Sequence, residues 1–150
     1  MPLHIVLVHP EIPNNTGNIG RLSLATGSHL HLIKPFGFEI SDSRLKRAGL
    51  DYWKHIQLTT YESIDDFYDK HSDKKMVLLS SHGTQSIWDI PFEDDMMLLF
   101  GKESTGLPSE ILNKHPEHIF KIPLHSDHIR SINIANAVSV TVYEGLRQLS

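Results

Sequence analysis

The chain contains no cysteine, and this absence is the first constraint on its function. Without thiols there is no disulfide, no thiolate metal site and no cysteine nucleophile, which agrees with a reducing compartment. A positive net charge is also lacking, because 14 Lys and Arg oppose 18 Asp and Glu, for a formal net charge of -4. Bulk charge therefore does not attract a nucleic acid to this chain, although a local basic patch still could.

Long apolar runs and leader signals are scarce as well. No charge-free run reaches the length of about 20 residues that a membrane helix needs, and the opening MPLHIVLVHP has no basic region followed by a small-residue cleavage site. We expect a cytoplasmic protein with no membrane contact. Because composition does not break and no repeat occurs, we expect residues 1–150 to form a single domain.

Short apolar runs alternate with helical patterns along the chain. The predicted strands are residues 3–8, 29–34, 56–61, 76–81, 96–100 and 119–123. Helices are predicted from a cap at Asn15 or Thr16 to Gly27, after Ser41 or Asp42, after Ser63, over 109–114, and from Ser131 onward. This alternation predicts an α/β fold with a mainly parallel sheet of about six strands and helices on both faces.

The last predicted helix is apolar on almost every side until Glu144 and Arg147. One side can pack on the sheet, and the other needs a different cover, so we predict a homodimer formed through this helix with Tyr143 in the interface. A helix wholly internal to a monomer is the alternative.

The sequence does not match the common phosphate-loop, dinucleotide-binding or metal-binding motifs. The loop GKESTG has phosphate-loop spacing, but Leu107 and Pro108 stand where Lys and Ser or Thr are needed. Gly17 and Gly20 have the wrong spacing for a dinucleotide fingerprint. The histidines are scattered, no H-x-x-x-H pair lies on a predicted helix, and His125 and His128 lie in a loop without an obvious third ligand, so we expect no metal site.

A basic cluster at Arg44, Lys46 and Arg47 is followed by Tyr52, Trp53 and Lys54. Cations next to aromatic rings suit contacts with RNA phosphates and unpaired bases, whereas a merely solvated surface is the simpler alternative.

Three ordered motifs resemble those of the SPOUT class of RNA 2′-O-methyltransferases. They are N-x-G-x-x-x-R at Asn15, Gly17 and Arg21, then LLFGKESTGLP at 98–108, then IPLHSDHIRSINIANAVSVTVYEGLRQ at 122–148. PEIPNNTGNIGRL, RLKRAGLDYW and RSINIANAVSVTVYE further resemble the small single-domain branch, the tRNA (cytidine/uridine-34) 2′-O-methyltransferases. The resemblance covers essentially the whole chain.

This resemblance implies an α/β fold with a C-terminal trefoil knot, an obligate dimer, and S-adenosylmethionine bound by largely main-chain contacts. The implied residues fall into three groups. Cofactor contacts are carried over to Leu79, Gly101, Ile122 and Ser131. Catalysis is carried over to Arg21, with Asn15 bracing the loop and Glu103 either within the knot or near Arg21. RNA contacts are expected at Arg44, Lys46, Arg47, Lys54 and Arg130, with the anticodon stem-loop of tRNA as the partner.

Arg21 has two readings within this family, as a base or as an electrostatic partner of the developing alkoxide or the adjacent phosphate. A guanidinium stays protonated in proteins, so we favour the electrostatic role. Three alternatives to the tRNA enzyme stay open: a 2′-O-methyltransferase of ribosomal RNA, a non-catalytic RNA-binding or cofactor-sensing dimer, and a monomeric flavodoxin-like phosphate-binding module.

Overall fold

Seven parallel strands form one sheet in the computed structural model, which describes residues 2–48 and 50–150. The strands are β1 (His4–Val8), β2 (His29–Ile33), β3 (Leu58–Tyr61), β4 (Met76–Leu79), β5 (Gln85–Ser86), β6 (Met97–Phe100) and β7 (Ile119–Lys121). Their spatial order is β3-β2-β1-β6-β4-β7-β5. The predicted parallel sheet is confirmed, and β5 is an additional strand whose two residues are too short to carry a periodic signal.

Helices cover both faces of this sheet. They are α1 (Pro13–Thr26), α2 (Ser43–Ala48), α3 (Ile64–His71), α4 (Ser109–Lys114) and α5 (Ile134–Leu149), with 3-10 helices at Leu50–His55 and Ile87–Asp89. Alternate residues of β1 enter opposite cores, as strand geometry requires. Ile5 joins the core that includes Ile19 of α1 and Val138 of α5, whereas Val6 joins the core beneath α3 and α4.

Two predicted helix starts are wrong. Helix α1 begins at Pro13, before the predicted caps Asn15 and Thr16, because proline suits the first helical position. Helix α5 begins at Ile134, since the side chain of Asn133 accepts hydrogen bonds from the N–H groups of the first helical turn. Ser131 therefore lies before the helix and does not open it. The helix end at Gly27, with φ of 66°, is as predicted.

Helix α5 is only partly covered within the protomer. Val138 and Val142 are buried, whereas Val140 and Tyr143 are 38% and 51% exposed. Near its end, the Glu144 carboxylate is buried and accepts two hydrogen bonds of 2.9 Å from Arg147, whose own side chain is exposed. Within residues 2–48 and 50–150, no helix has the length and apolar content to cross a membrane.

Strand pairing gathers histidines that are far apart in sequence. His4 Nδ1 and His31 Nε2 share a hydrogen bond of 2.8 Å, and His31 Nδ1 and His71 Nε2 both lie 2.7 Å from the Tyr61 hydroxyl. His4 also contacts Asp95, which pairs with Lys74. A buried hydrogen-bonded chain thus crosses from β1 through β2 and β3 to α3.

Three ring nitrogens, from His4, His29 and His31, lie within 4.8 Å of one another, as in a metal site. The rings of His29 and His31, however, stack at 4.2 Å with an interplanar angle of 19°. Stacked imidazoles direct their lone pairs along nearly parallel planes and do not converge on one ion. The geometry favours a hydrogen-bonded network, and the expectation of no metal site stays a prediction.

Burial of these imidazoles makes stability depend on pH. Desolvation lowers the pKa of His31 to about 2 and also lowers the pKa of His29 and His71. Below about pH 6.5 these histidines bind protons in the unfolded chain but stay neutral in the folded chain. Their contribution to the free energy of unfolding is therefore fully present above that pH and is lost as the solution is acidified.

We therefore expect the free energy of unfolding to drop between pH 7.5 and 5.5, with about 1.4 kcal/mol of the loss from His31 alone. Urea unfolding across this range is the measurement. His71→Gln should reduce the slope, and His125→Gln, in an exposed loop, should leave it unchanged. Stability that is flat with pH would contradict the prediction.

Candidate active site

The candidate cofactor residues meet at the carboxyl ends of three adjacent strands, where parallel sheets bind ligands. Leu79 at the end of β4 is in register with Phe100 of β6 and Phe120 of β7. Gly101 directly follows Phe100, and Ile122 lies two residues past Phe120. The sheet therefore brings together Leu79, Gly101 and Ile122, as the resemblance implies.

The loop after β6 folds back on itself at Gly101. A Cβ at this position would lie 2.0 Å from the carbonyl carbon of Gly106, and Gly106 has a φ of 75°. The Gly106 N–H donates to the Lys102 carbonyl at 2.9 Å, which closes the loop. Only glycine allows this approach, so Gly101 offers a bare main chain at the site.

Glu103, in the same loop, holds the start of α1. Its carboxylate accepts hydrogen bonds from the N–H groups of Glu11 and Ile12, at 2.9 and 3.0 Å. Helix α1 has no side-chain cap of its own and no acidic residue in its first turn. Glu103 thus provides the cap and the negative charge that a helix N-terminus favours, from 91 residues away.

The Glu11 carboxylate in turn binds the loop that carries Glu103. Its carboxylate accepts a hydrogen bond from the Ser104 N–H at 2.8 Å, and this bond lowers the pKa of the Glu11 carboxyl. The loops after β1 and β6 are therefore joined by carboxylate bonds in both directions. This role of Glu11 is not predicted from the sequence, because hydrogen bonds between distant loops have no characteristic sequence spacing.

Asn15 links this pair of loops to α5. Its side-chain N–H donates to Glu103 at 3.2 Å, and its carbonyl oxygen accepts from the side chain of Asn133 at 3.1 Å. Asn133 also caps α5. One hydrogen-bonded line thus connects Glu103, Asn15 and Asn133, which brings the segment that carries Ser131 next to the loops of β1 and β6.

Arg21 lies six residues beyond Asn15, about 9 Å further along the axis of α1. Its guanidinium lies over the ring of Tyr52, 5.4 Å from the centroid. No hydrogen bond connects Arg21 with Asn15 or Glu103 in the described part of the chain. Asn15 therefore connects the loops without contacting Arg21, and the hydrogen bonds of Glu103 favour the structural one of its two expected roles.

The residues expected to contact RNA differ in their exposure and in whether they already have a partner within the protein. Arg44 is tied to Asp42, with its Nη2 3.1 Å from the carboxylate, and this pairing lowers the pKa of the Asp42 carboxyl. Arg47, Lys54 and Arg130 are exposed. The side chain of Lys46 lies outside the described residues. Tyr52 is exposed, but Trp53 is half-buried against α1 and is a packing residue.

The segment between β7 and α5 has few main-chain hydrogen bonds, one of them from the His128 N–H to the Ser126 hydroxyl at 3.1 Å. For residues 123–132, no backbone-to-backbone hydrogen bond is found within the described part of the chain. Such N–H and C=O groups suit a cofactor held by main-chain contacts. Two surface cavities, of about 540 and 550 Å³, are lined instead by residues such as Met76, where β4 begins, and Gly27, before β2.

Fold and site together define an α/β enzyme with its ligand loops at one edge of a parallel sheet. A sequence model of the SpoU rRNA Methylase family matches residues 2–143, and the chain belongs to this family. The tRNA (cytidine(34)-2′-O)-methyltransferase of Escherichia coli (strain K12) is 45% identical over 148 residues, covering 98% of this chain and 94% of the relative. The enzyme of the same name from Saccharophagus degradans is 44% identical over 147 residues, covering 97% and 95%.

A solved structure that concerns 2-OH methylation of C/U34 on tRNA superimposes with a TM-score of 0.93. It is 44% identical in sequence and covers 98% of this chain and 95% of its own. The SpoU/SPOUT fold expected from the sequence is therefore confirmed. The trefoil knot stays a prediction, because strand order alone does not trace how the chain passes through its loops.

The cap on α1 predicts a stability effect at Glu103. Glu103→Gln keeps one acceptor oxygen and loses the charge that accepts three hydrogen bonds, so we expect a loss of about 1–2 kcal/mol in urea unfolding. Glu117→Gln, at an exposed position, is the matched control and should have no effect. Equal stability of the two variants would contradict the cap.

Proposed function

We propose that the protein transfers a methyl group from S-adenosylmethionine to the ribose 2′-OH of cytidine or uridine at position 34, the wobble nucleotide of tRNA. The observation that carries this proposal is similarity along nearly the whole chain to relatives that bear this activity in their names. We assign the activity to a single domain, residues 1–150, acting in the cytoplasm.

Leu79, Gly101, Ile122 and Ser131 are proposed to hold the cofactor. Support comes from the register of the strands that carry the first three, from the bare main chain at Gly101, and from the backbone of residues 123–132, which forms no backbone-to-backbone hydrogen bond in the described part of the chain. When bound, S-adenosylmethionine would supply a methyl group on a sulfonium, which needs no further activation. The protein's task is then alignment of the ribose hydroxyl and help in removing its proton.

Arg21 is proposed as the catalytic residue, through charge and not as a base. Its guanidinium stays protonated and can stabilise the developing alkoxide or fix the adjacent phosphate. Asn15 and Glu103 are proposed to support the site by holding α1 against the loop that carries Gly101. Their hydrogen bonds favour this role over direct contact with the reacting atoms.

We propose that the working form is a homodimer covered along α5. The exposed side chains of Val140 and Tyr143 support this assignment, since they lie one helical turn apart on the uncovered side. The basic segment with Arg44, Lys46, Arg47 and Lys54 would then lie near the partner's cofactor site. Sedimentation that yields only a monomer at micromolar concentration would contradict the dimer.

A second candidate is 2′-O-methylation of ribosomal RNA. The description of the matching family, SpoU rRNA Methylase, favours it, and the catalytic motifs do not encode the choice of RNA. A non-catalytic RNA-binding dimer is the third outcome to be tested.

The deciding experiment is methyl transfer from labelled S-adenosylmethionine to bulk tRNA and, in parallel, to ribosomal RNA. Nuclease digestion and mass spectrometry locate the product. We expect a 2′-O-methylated pyrimidine at position 34, and Arg21→Ala should lose at least tenfold in rate with cofactor binding intact. Transfer to ribosomal RNA alone would establish the second candidate, and cofactor binding without transfer the third.

The basic segment predicts a separate effect on RNA affinity. Arg44→Glu with Arg47→Glu should weaken tRNA binding about tenfold or more. The salt dependence of binding should also decrease, because the variant makes fewer phosphate contacts and so releases fewer counterions. Cofactor binding should not change. Lys70→Glu with Lys114→Glu, on α3 and α4 at the other sheet face, changes the charge by the same amount and is the control. Unchanged tRNA affinity in the double variant would remove this segment from the RNA surface.

A further inference from the structure

We infer that Tyr52 is a positioning residue for Arg21: its ring holds the guanidinium by a face contact that leaves the N–H donors free for the RNA ribose and phosphate. This inference rests on the proposed function. It concerns one contact, between the guanidinium carbon of Arg21 and the Tyr52 ring centroid, 5.4 Å apart.

Arg21 has an unusual set of partners for a catalytic cation. No carboxylate lies within ion-pair distance of it in the described part of the chain, whereas Arg44 and Arg147 each pair with an acid. Its contact is the neutral face of an exposed tyrosine. The positive charge of Arg21 is therefore not cancelled inside the protein.

The chemistry of the two kinds of partner differs. A carboxylate binds the edge of a guanidinium through two N–H groups, which are the groups that would meet a phosphate or an alkoxide. An aromatic ring attracts the charge through its face and leaves the edge unoccupied. Tyr52 can thus restrict the rotamers of Arg21 without competing with the substrate.

The position of Tyr52 is fixed by its neighbour. Trp53 and Ile56 pack against α1 at Gly20, where a Cβ would lie 2.7 Å from the Trp53 ring and 2.8 Å from Ile56. Gly20 and Arg21 are consecutive, as are Trp53 and Tyr52. Packing of Trp53 against Gly20 therefore holds the 3-10 helix Leu50–His55 on α1. The neighbouring residues Tyr52 and Arg21 then form the cation–π contact.

Removal of the ring should affect turnover more than binding. A cation–π contact at an exposed site contributes about 0.5–1 kcal/mol, and looser placement of Arg21 adds an entropic loss in the transition state. We expect Tyr52→Leu to lower kcat about three- to tenfold, with the Kd of tRNA and cofactor within about twofold of the original protein. Tyr52→Phe, which keeps the ring, should recover most of this loss.

A double-mutant cycle separates this role from direct contact with RNA. If Tyr52 acts through Arg21, then Tyr52→Leu should have little further effect once Arg21→Ala is present. His55→Ala, at an exposed position of the same 3-10 helix, is the control for local damage and should not change kcat. Additive losses, or a Tyr52→Leu effect confined to tRNA affinity, would overturn the inference in favour of a base-stacking role.

The contact itself can be measured without activity. The Arg21 Nε–Hε signal in a ¹⁵N-correlated spectrum should carry a ring-current shift that disappears in Tyr52→Leu and persists in Tyr52→Phe. Absence of that shift in the original protein would refute the inference even if tRNA is methylated. Presence of the shift without methylation of any RNA would instead refute the proposed function and, with it, the catalytic purpose of the contact.

Discussion

The candidate site depends on the hydrogen bonds that the Glu103 carboxylate accepts from the N–H groups at the start of α1. Glu103 lies in the loop after β6 and holds the start of α1. The Glu11 carboxylate, just before α1, accepts a hydrogen bond from the Ser104 N–H of that same loop. Helix α1 carries Arg21 and packs beside α5, so its start and direction set the location of the charged group. The Glu103 carboxylate binds the N–H groups of the two residues just before α1 and places a negative charge at the positive end of the helix dipole.

The site divides its tasks between main chain and side chain. Strand register and the tight turn at Gly101 present backbone groups at the proposed cofactor loops, where no side-chain fingerprint is needed. Side chains are reserved for assembly, through Asn15, Glu103 and Asn133, and for charge, through Arg21. A cofactor without phosphate groups, such as the proposed S-adenosylmethionine, would need no glycine-rich phosphate motif.

Much of the fold was predictable because buried parallel strands are bare apolar runs, and because helices begin at signals such as Ser63 and end at signals such as Gly27. The failures have physical causes. Proline at the first turn moved the start of α1, and Asn133 capped α5 in place of an earlier residue. Strand β5, at two residues, has no period to detect. Trp53 belongs to the cluster for which RNA contact and a solvated surface were both open, and its contact with Gly20 makes it a packing residue instead.

The sequence by itself determined the α/β class, the positions of six of the seven strands, the motif order and the family, since these follow from local pattern. Only the tertiary structure decided which residues meet. It placed Glu103 under α1, Tyr52 beneath Arg21, and His4, His31 and Tyr61 in one buried chain. These contacts span tens of residues, and their partners are fixed by sheet order and helix packing, which no local spacing encodes.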